Sequence, residues 1–390
     1  MDKKIKILMI AMQHSAKDDR IFYKEAMSLK KYGYHVSYLL LTDKDGYIKD
    51  MGGMILNKRK ESIIFLDGIK IIGIKPPSDF ITSSLNRVFL GKFQQKIISS
   101  VLKENANIYH AHEPISLRIA MKAAKITNNK VVFDCHESWV DGTIKEQLIK
   151  KIYLKKIKYF ITVNSGILEH LIQGAKFTTT EIIYNCSLPA LFPLAKDYPR
   201  INAPITLVHE GTLTFNRGLK NMLQVLIVLK SEFPNIKLKI IGDSPKKESH
   251  YISKFIVENS LQNNILQTGW VKYEDVSKNL KNCDIGLILY SPTKNNLFST
   301  SNKLFNYIAS NLAIVSVDLP ETKKILEPLK NSIIVENNNG VKIAKAISKL
   351  IRDPKLLLAK KIASQNAYQK YNWTVEEKKL INFYKKVLTG

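Results

Sequence analysis

Short apolar runs alternate with longer amphipathic segments along the whole chain. The apolar runs, among them "IKILMIA", "KVVFDCHE", "ITLVHEG" and "DIGLILY", have the length and the β-branched content of buried strands. The segments between them repeat apolar residues at intervals of three and four, which predicts helices. Because strands that alternate with helices are typical of parallel sheets, the pattern predicts an α/β protein with doubly wound sheets.

This alternation starts twice. The stretch "LPALFPLAKDYPRINAP" lies between the two runs, is rich in proline and lacks periodicity, so residues 188–203 are predicted to be a linker. We therefore expect one domain at 1–190, a second at 204–370, and an amphipathic helix at about 373–390 that packs back on the first domain. Two such domains in tandem are expected to face each other across a cleft, and ligands are expected beyond the carboxyl ends of the strands.

The charge of the chain changes the range of expected partners. The sequence has 390 residues with 60 Lys+Arg against 34 Asp+Glu, a net charge of +26, which favours polyanions, anionic membranes or phosphorylated ligands. The lysines are spread along the chain and no nucleic-acid motif occurs, so nucleic acid is not an expected partner. A solvated basic surface and peripheral attachment to an anionic leaflet both stay open.

The location of the protein is predicted from segments that the sequence lacks. No apolar run reaches the length of about 18 residues that a membrane-spanning helix needs, and no signal-peptide pattern follows the first strand. The three cysteines are far apart, which argues for a reducing compartment without a disulfide framework. These features predict a cytoplasmic protein, with attachment to the inner face of the membrane as the option that the charge adds.

Two basic residues of the second half stand where helices are expected to begin. Arg217 precedes Gly218 after "HEGTLTF", and Lys303 lies in the first turn of the helix predicted from "STSNKLFNYIASN". A cation in the first turn of a helix is unfavourable by about 0.3–1 kcal/mol, unless an anion binds there. We therefore predict that Arg217 and Lys303 hold a diphosphate, with a surface role for Arg217 and a Lys303 that reaches water as alternatives.

Small and polar residues accompany this predicted anion site. Gly211, Gly242 and Gly269 each follow a predicted strand, where a glycine permits a tight turn or a close approach of the backbone. Asn302 and Asn306 are four residues apart on one helix, so we predict that both bond sugar or ribose hydroxyls.

Polar side chains also follow the predicted strands of the first half. His110 and His112 alternate along one strand, and His136 and Glu137 end the next, which makes the latter pair the best candidates for acid–base or electrostatic work. No recognised zinc spacing occurs, so no metal site is expected. Asp18 or Asp19 is predicted to cap the helix that starts near Arg20, with ligand binding as the alternative.

The ordered set of motifs resembles glycosyltransferase family 4, whose members have the GT-B fold of two Rossmann-like domains. The segments "DDRIFYKEAMSLKKYGYHVSYL", "NIYHAHEP", "VVFDCHES", "YFITVNSGILEHL" and "IIYNCSLP" resemble its N-terminal domain. The segments "HEGTLTFNRGLKNML", "LKIIGDSP" and "SNKLFNYIASNLAIVSVDLPE" resemble its nucleotide-sugar domain, and "YNWTVEEKKLINFYKKVL" resembles its C-terminal helix. The resemblance covers nearly the whole chain, and the order of the motifs is more specific than any one of them.

The resemblance implies a retaining hexosyltransferase that uses a nucleotide-diphosphate sugar, with UDP or GDP favoured over ADP, and no cofactor. Arg217 and Lys303 would hold the diphosphate and His136 would lie beside the transferred sugar, which makes these three the catalytic candidates. The other expected donor-site residues are Gly211, Thr212, Gly242, Gly269, Asn302, Asn306 and Glu321. The expected acceptor-site residues are His14, Asp19, Arg20, His112, Glu137 and Asn185.

The chain departs from the family pattern at a few positions. Asn306 and Phe298 stand where members carry carboxylates, and Leu213 stands where they carry a basic residue. The implied acceptor is a saccharide or a polyprenyl-linked sugar in the synthesis of a surface polysaccharide or glycolipid. A sugar-nucleotide epimerase of the same fold, or a catalytically degenerate protein that only binds sugar nucleotides, are the alternatives.

Overall fold

The computed structural model describes residues 4–77, 91–136, 144–171, 175–194, 197, 199–336 and 339–390. The chain divides into two compact units. The first comprises Met1–Tyr184 and Glu376–Gly390, and the second comprises Asn185–Val375. Residues 188–203, for which a linker is expected, thus belong to the second unit.

The first unit alternates strands and helices as the apolar pattern predicts. Its elements are β1 (Lys6–Ile10), a π-helix (Asp19–Ala26) that continues into α1 (Met27–Lys31), β2 (His35–Leu41), β3 (Ile63–Leu66), β4 (Ile69–Ile74), α2 (Gly91–Lys103), β5 (Ile108–Ala111), α3 (Pro114–Thr127), β6 (Lys130–Cys135), α4 (Ile144–Leu154), β7 (Tyr159–Thr162), α5 (Ser165–Leu171) and β8 (Thr179–Ile182). Within the described residues the strand order is β3-β4-β2-β1-β5-β6-β7-β8. Four successive residues of β1, Ile7 to Ile10, are buried, so both faces of the sheet are covered, as parallel sheets require.

Strand β3 is the element of this sheet that the sequence reading missed. It pairs antiparallel with β4 at the edge of the sheet, whereas the other strand pairs of this sheet are parallel. The turn between them is Asp67-Gly68, and both residues have a positive φ, 46° and 73°. Two successive residues with positive φ are what a tight two-residue hairpin turn requires.

The second unit repeats the architecture with a sheet that is parallel throughout its described strands. Its elements are β9 (Thr206–Glu210), α6 (Leu219–Glu232), β10 (Lys237–Ile241), α7 (Lys246–Glu258), β11 (Ile265–Gln267), α8 (Tyr273–Leu280), β12 (Ile285–Ile288), α9 (Lys294–Phe298), α10 (Asn302–Ala309), β13 (Ala313–Val317), α11 (Pro320–Leu329), β14 (Ser332–Val335), α12 (Gly340–Arg352) and α13 (Pro354–Tyr368). The strand order is β11-β10-β9-β12-β13-β14. The chain therefore leaves β9 to one side and later returns to its other side. That reversal makes the carboxyl end of β9 the topological switch point at which such folds bind ligands.

The last helix, α14 (Trp373–Thr389), makes polar contacts with the first unit from Glu376 onward. The backbone N–H of Tyr184 donates to Glu376 Oε2 at 2.9 Å, and Tyr384 OH lies 2.8 Å from His110 Nδ1. The ammonium of Lys130 donates to the carbonyl of Val387 at 2.6 Å, close to the end of the helix. These bonds join α14 to the ends of β5, β6 and β8. None of the helices in the described part of the chain has the length and apolar character needed to span a bilayer.

Candidate functional site

The three glycines predicted at strand ends lie together beyond β9, β10 and β11. A side chain on Gly242 would come within 2.8 Å of the Gly211 backbone, and Gly242 N–H donates to the carbonyl of Gly269 at 3.0 Å. All three have a positive φ. The glycines thus allow the three loops to contact one another, and Gly211, at the switch point, forms the loop next to β9.

Arg217 is held in the same loop by a backbone contact. It ends a 3₁₀ turn, Phe215–Arg217, and its Nη1 donates to the carbonyl of Thr212 at 3.0 Å. The next residue, Gly218, has φ 90°, and a Cβ there would lie 2.1 Å from the Leu289 carbonyl oxygen. The carbonyl of Thr212 therefore holds the Arg217 guanidinium. Gly218 allows the backbone at the start of α6 to pack closely against Leu289.

Lys303 is buried beside an aromatic ring. It is 4% exposed, and its Nζ donates to Tyr290 OH at 2.8 Å and lies 4.7 Å from the centroid of that ring. The alternative in which Lys303 reaches water is therefore wrong. Nζ also lies 3.5 Å from His209 Nε2, and a Cβ on Gly211 would lie 3.9 Å from it, so the ammonium sits at the carboxyl end of β9.

The pKa values around Lys303 indicate a positive potential. Burial lowers the pKa of Lys303, and the nearby Arg217 lowers it further. Burial, Lys303 and Arg217 also lower the pKa of His209 well below its usual value. Burial alone would raise the pKa of Tyr290, yet the two cations bring it below its usual value. Two mutually repelling cations at a switch point form a site that an anion would stabilise.

The start of α10 has no side-chain cap. Ser301 is the N-cap residue, but its side chain makes no capping bond, and its Oγ instead lies 3.0 Å from Tyr290 OH. A serine that turns away from the helix leaves the first-turn N–H groups without that side-chain acceptor. The arrangement suits a negatively charged ligand near Lys303.

Asn302 and Asn306 do not present the shared polar face that their spacing predicts. Asn302 is exposed, whereas Asn306 is 5% exposed, and its Nδ2 donates to Glu210 Oε2 at 3.0 Å. Its Oδ1 accepts from Ser187 Oγ at 2.6 Å. The amide of Asn306 is therefore engaged within the protein at both ends, and the binding of hydroxyls by the two asparagines stays a prediction. Glu321, another predicted donor residue, is buried in the first turn of α11 and pairs with Lys324 at 2.6 Å.

Two residues of this site, Glu210 and Tyr290, were missed by the sequence reading. Glu210 is the last residue of β9, and Tyr290 follows β12 by two residues. Both obey the rule that functional side chains of such sheets follow the carboxyl ends of strands. The rule could therefore have found them, although it does not say which side chains turn toward Lys303.

A second polar group lies at the strand ends of the first unit, around a buried arginine. Arg20 Nε and Nη2 donate to Asp134 at 2.7 and 3.1 Å, and Nη1 donates to the carbonyl of Ile183 at 3.1 Å. Although burial alone would raise the pKa of Asp134, Arg20 and the nearby His112 and His136 hold it well below its usual value. Arg20 is 2% exposed and fixes the ends of β6 and β8, while its contact with an acceptor stays a prediction.

Four buried residues of this unit have the composition of a metal site. One ligand atom each of Glu25, His110, His112 and Asp134 lies within 4.8 Å of the others. However, Arg20 Nε lies 2.9 Å from Glu25 Oε1 and 2.7 Å from Asp134 Oδ2, so a guanidinium already supplies positive charge between the carboxylates. A metal ion would be repelled by that cation. We therefore interpret the group as an ionic cluster and do not assign a metal to it.

The accessible part of this strand end is a pair of histidines. His14 Nε2 and His136 Nε2 are 3.3 Å apart, and the two side chains are 19% and 12% exposed. Asp18, which caps the π-helix, lies 3.1 Å from His14 Nδ1, and Asp134 lies 3.6 Å from His136 Nδ1. Each of the two rings therefore has a carboxylate beside its Nδ1 atom.

The remaining acceptor-site predictions fall elsewhere. His112 is fully buried next to Asp134, and its contact with a ligand stays a prediction. Asp19 pairs with Lys24 at 3.5 Å, and the capping residue is Asp18. Asn185 is buried and belongs to the second unit. Glu137 lies outside the described residues.

We expect mild acid to destabilise the first unit. Burial lowers the pKa of His112 from 6.5 to about 4, and burial also lowers the pKa of His110. As the pH falls from about 6.5 to about 4, the unfolded chain binds protons that the native protein does not, so the free energy of unfolding decreases. Urea unfolding midpoints across this interval should fall, and His112→Asn should reduce the dependence on pH. A midpoint that does not change with pH would contradict this expectation.

Comparisons with known proteins agree with this architecture. Residues 204–353 match the family model described as Glycosyl transferases group 1. Over 99% of this chain and 100% of the other, the structure is similar to sucrose-phosphate synthase from Thermosynechococcus elongatus, with a TM-score of 0.78 at 14% identity. The structure is also similar to Anabaena HepE in complex with UDP, with a TM-score of 0.73 at 13% identity over 98% of this chain and 100% of the other. It is similar as well to a glycosyltransferase from Rickettsia africae ESF-5, with a TM-score of 0.72 at 18% identity over 99% of each chain.

No curated protein sequence matches the chain. At these identities the solved structures establish the fold, and the residues that match the family model lie within the second unit and include Arg217 and Lys303. The chain therefore has the GT-B fold, and its residues 204–353 match the model of the glycosyl transferases of group 1.

Proposed function

We propose that this protein transfers a hexose, with retention, from a nucleotide-diphosphate sugar to a hydroxyl group of a saccharide or polyprenyl-linked acceptor. The observation that carries the proposal is the positive site at the carboxyl end of β9, where burial and the nearby guanidinium of Arg217 lower the pKa of the Lys303 ammonium. A diphosphate would relieve that repulsion. The same two cations would stabilise the negative charge that develops on the departing nucleotide.

Uridine is the base that we favour. HepE has been solved with UDP and with UDP-glucose, and the Escherichia coli trehalose-6-phosphate protein has been solved with UDP-2-fluoro glucose. These ligands belong to the relatives, and we extend them to this chain because the chain shares their fold and carries its own paired cations.

We assign the acceptor to the first unit. The partly exposed pair His14 and His136 offers imidazole groups beside two carboxylates, which can bind hydroxyls and steady the charge of the transferred sugar. The net charge of +26 supports an acceptor held at an anionic membrane surface in the synthesis of a surface polysaccharide or glycolipid.

A nucleotide screen by thermal shift tests the donor site. UDP at about 100 times its dissociation constant should stabilise the wild type by about 2.7 kcal/mol, and GDP and ADP should stabilise it less. Arg217→Ala should abolish most of that shift, because it removes one of the two phosphate-binding cations. Arg200→Ala, at an exposed arginine of the same unit, is the matched control and should keep the shift.

Product analysis then separates transfer from other uses of the donor. Incubation with UDP-glucose and saccharide acceptors should yield a glycosylated product and free UDP. Conversion of the donor in the absence of any acceptor would instead identify an epimerase. Binding of UDP that persists unchanged in Arg217→Ala would show that the assigned donor site is wrong.

A further inference from the structure

Glu210 is a carboxylate held in a fixed position at the switch point. It is half-buried at the end of β9, and its Oε2 accepts from Asn306 Nδ2 at 3.0 Å. Its backbone N–H donates to Tyr307 OH at 3.0 Å. Tyr307 is fully buried, and its hydroxyl in turn lies 3.2 Å from the carbonyl of Val208. Both the backbone and the side chain of Glu210 are therefore anchored to α10 and its neighbours.

The orientation of the Asn306 amide is determined by a second buried contact. Ser187 is fully buried, and its Oγ donates to Asn306 Oδ1 at 2.6 Å. Because a serine hydroxyl donates to the oxygen end of the amide, the NH₂ end is directed at Glu210. This arrangement leaves Asn306 as a support for the carboxylate, one turn along α10 from Lys303.

The charge of Glu210 restricts what it can bind. It lies close enough to Lys303 to favour the charged form of that ammonium, so it is part of the same site. A carboxylate repels phosphate oxygens, and it accepts hydrogen bonds only from donors such as hydroxyl groups. In a nucleotide sugar, hydroxyl groups flank the diphosphate on both sides, on the ribose and on the transferred sugar.

We infer that Glu210 binds hydroxyl groups of the nucleotide sugar beside the diphosphate, and that Asn306 positions it for this role. This inference rests on the proposed function, because it assumes that Arg217 and Lys303 hold the diphosphate. It makes Glu210 a specificity-determining residue of the donor site. Its support by Asn306 is not evident from the sequence.

Three probes separate hydroxyl binding from an effect on the diphosphate. Calorimetric titration of the full chain with inorganic pyrophosphate, UDP and UDP-glucose is compared between wild type and Glu210→Gln. We expect Glu210→Gln to bind UDP-glucose about tenfold more weakly, because a charged hydrogen bond becomes a neutral one. Pyrophosphate carries no carbon-bound hydroxyl and should bind equally well or more tightly, because a repelling negative charge is removed.

UDP shows whether the bound hydroxyl groups belong to the ribose or to the transferred sugar, because it contains only the ribose. If Glu210→Gln weakens UDP and UDP-glucose by the same factor, Glu210 binds the ribose. If it weakens only UDP-glucose, Glu210 binds the transferred sugar. Either result supports the inference.

Asn306→Ala tests the positioning role through a double-mutant cycle. The Asn306→Ala substitution should weaken the binding of the same probe as Glu210→Gln does, by a smaller factor. In the Glu210→Gln background it should cause little further loss of affinity, because Asn306 acts through the Glu210 carboxylate. A full additional loss in the double variant would show that Asn306 does not act through Glu210. Glu258→Gln, at an exposed carboxylate on α7, is the matched control and should leave all three affinities unchanged.

The inference fails if Glu210→Gln binds UDP and UDP-glucose as tightly as the wild type does. It also fails if the substitution weakens the binding of pyrophosphate by the same factor as the binding of the other two probes. In the first case Arg217→Ala would still abolish UDP binding, so the proposed function would survive. If the wild type binds none of the three probes, the donor site and the inference are both overturned.

Discussion

Lys303→Met is expected to weaken the binding of UDP about 10- to 100-fold, because a charge-assisted hydrogen bond contributes about 1.5–3 kcal/mol. The ammonium that would bind the diphosphate is 4% exposed and lies at the carboxyl end of β9. Water screens such a buried charge little, so its removal should strongly reduce the affinity for a polyanion.

The same substitution should not destabilise the protein. Burial lowers the pKa of Lys303, which means that the folded protein holds the charged form at a cost. Methionine has a similar length and no charge, and exchanges of a buried charge for an apolar side chain are often neutral or stabilising. Loss of affinity without loss of stability would therefore identify a binding residue.

Calorimetry with UDP and urea unfolding measure the two effects in parallel. Lys294→Met, at an exposed lysine on α9, is the matched control and should change neither. In the wild type, UDP affinity should decrease as the pH rises, because Lys303 loses its proton, and the decrease should begin below the ordinary lysine pKa of about 10.4. If Lys303→Met loses affinity and stability together, the side chain has a structural role instead.

Asp284→Asn is expected to cost about 3–5 kcal/mol in the free energy of unfolding of the second unit, because it breaks a buried ion pair. Asp284 is fully buried and accepts from Lys361 Nζ at 2.8 Å, where the lysine is 3% exposed. It also accepts from the backbone N–H groups of Asn202 and Thr206, each at 3.0 Å. The carboxylate thus joins the start of β9 to α13, and an amide would leave the ammonium unpaired.

Urea unfolding of the variant and of two comparison variants measures this cost. Asp275→Asn breaks the exposed pair with Lys278, and such a surface pair contributes about 0–1 kcal/mol. The double variant Asp284→Asn/Lys361→Met should be more stable than Asp284→Asn alone, because it removes the unpaired charge. If Asp284→Asn is as stable as Asp275→Asn, the buried pair of Asp284 and Lys361 does not have the stabilising role assigned to it.

The fold was predictable because its signals are local. In a parallel sheet covered on both faces, the buried residues of a strand such as β1, Ile7 to Ile10, form a continuous apolar run, and the helices between strands repeat at their own period. The edge strand β3 was missed because its half-exposed residues carry a weaker apolar signal, although the Asp67-Gly68 turn marks the hairpin.

The site was predictable in part, where charge contradicted local structure. Lys303 is a cation at the start of a helix, and this conflict alone pointed to an anion. Whether the side chain turns outward or inward depends on the ring of Tyr290, thirteen residues earlier, and on the end of β9. No local pattern contains that information.

By itself the sequence determined two α/β units, the order of their elements and a basic site beside Gly211, because periodicity, glycine and charge act over a few residues. The tertiary structure alone decided that Arg20 serves Asp134, that Asn306 holds Glu210, and that Lys303 is buried against Tyr290. These contacts join residues 13 to 114 positions apart. Their geometry follows from the packing of whole elements, which spacing along the chain does not record.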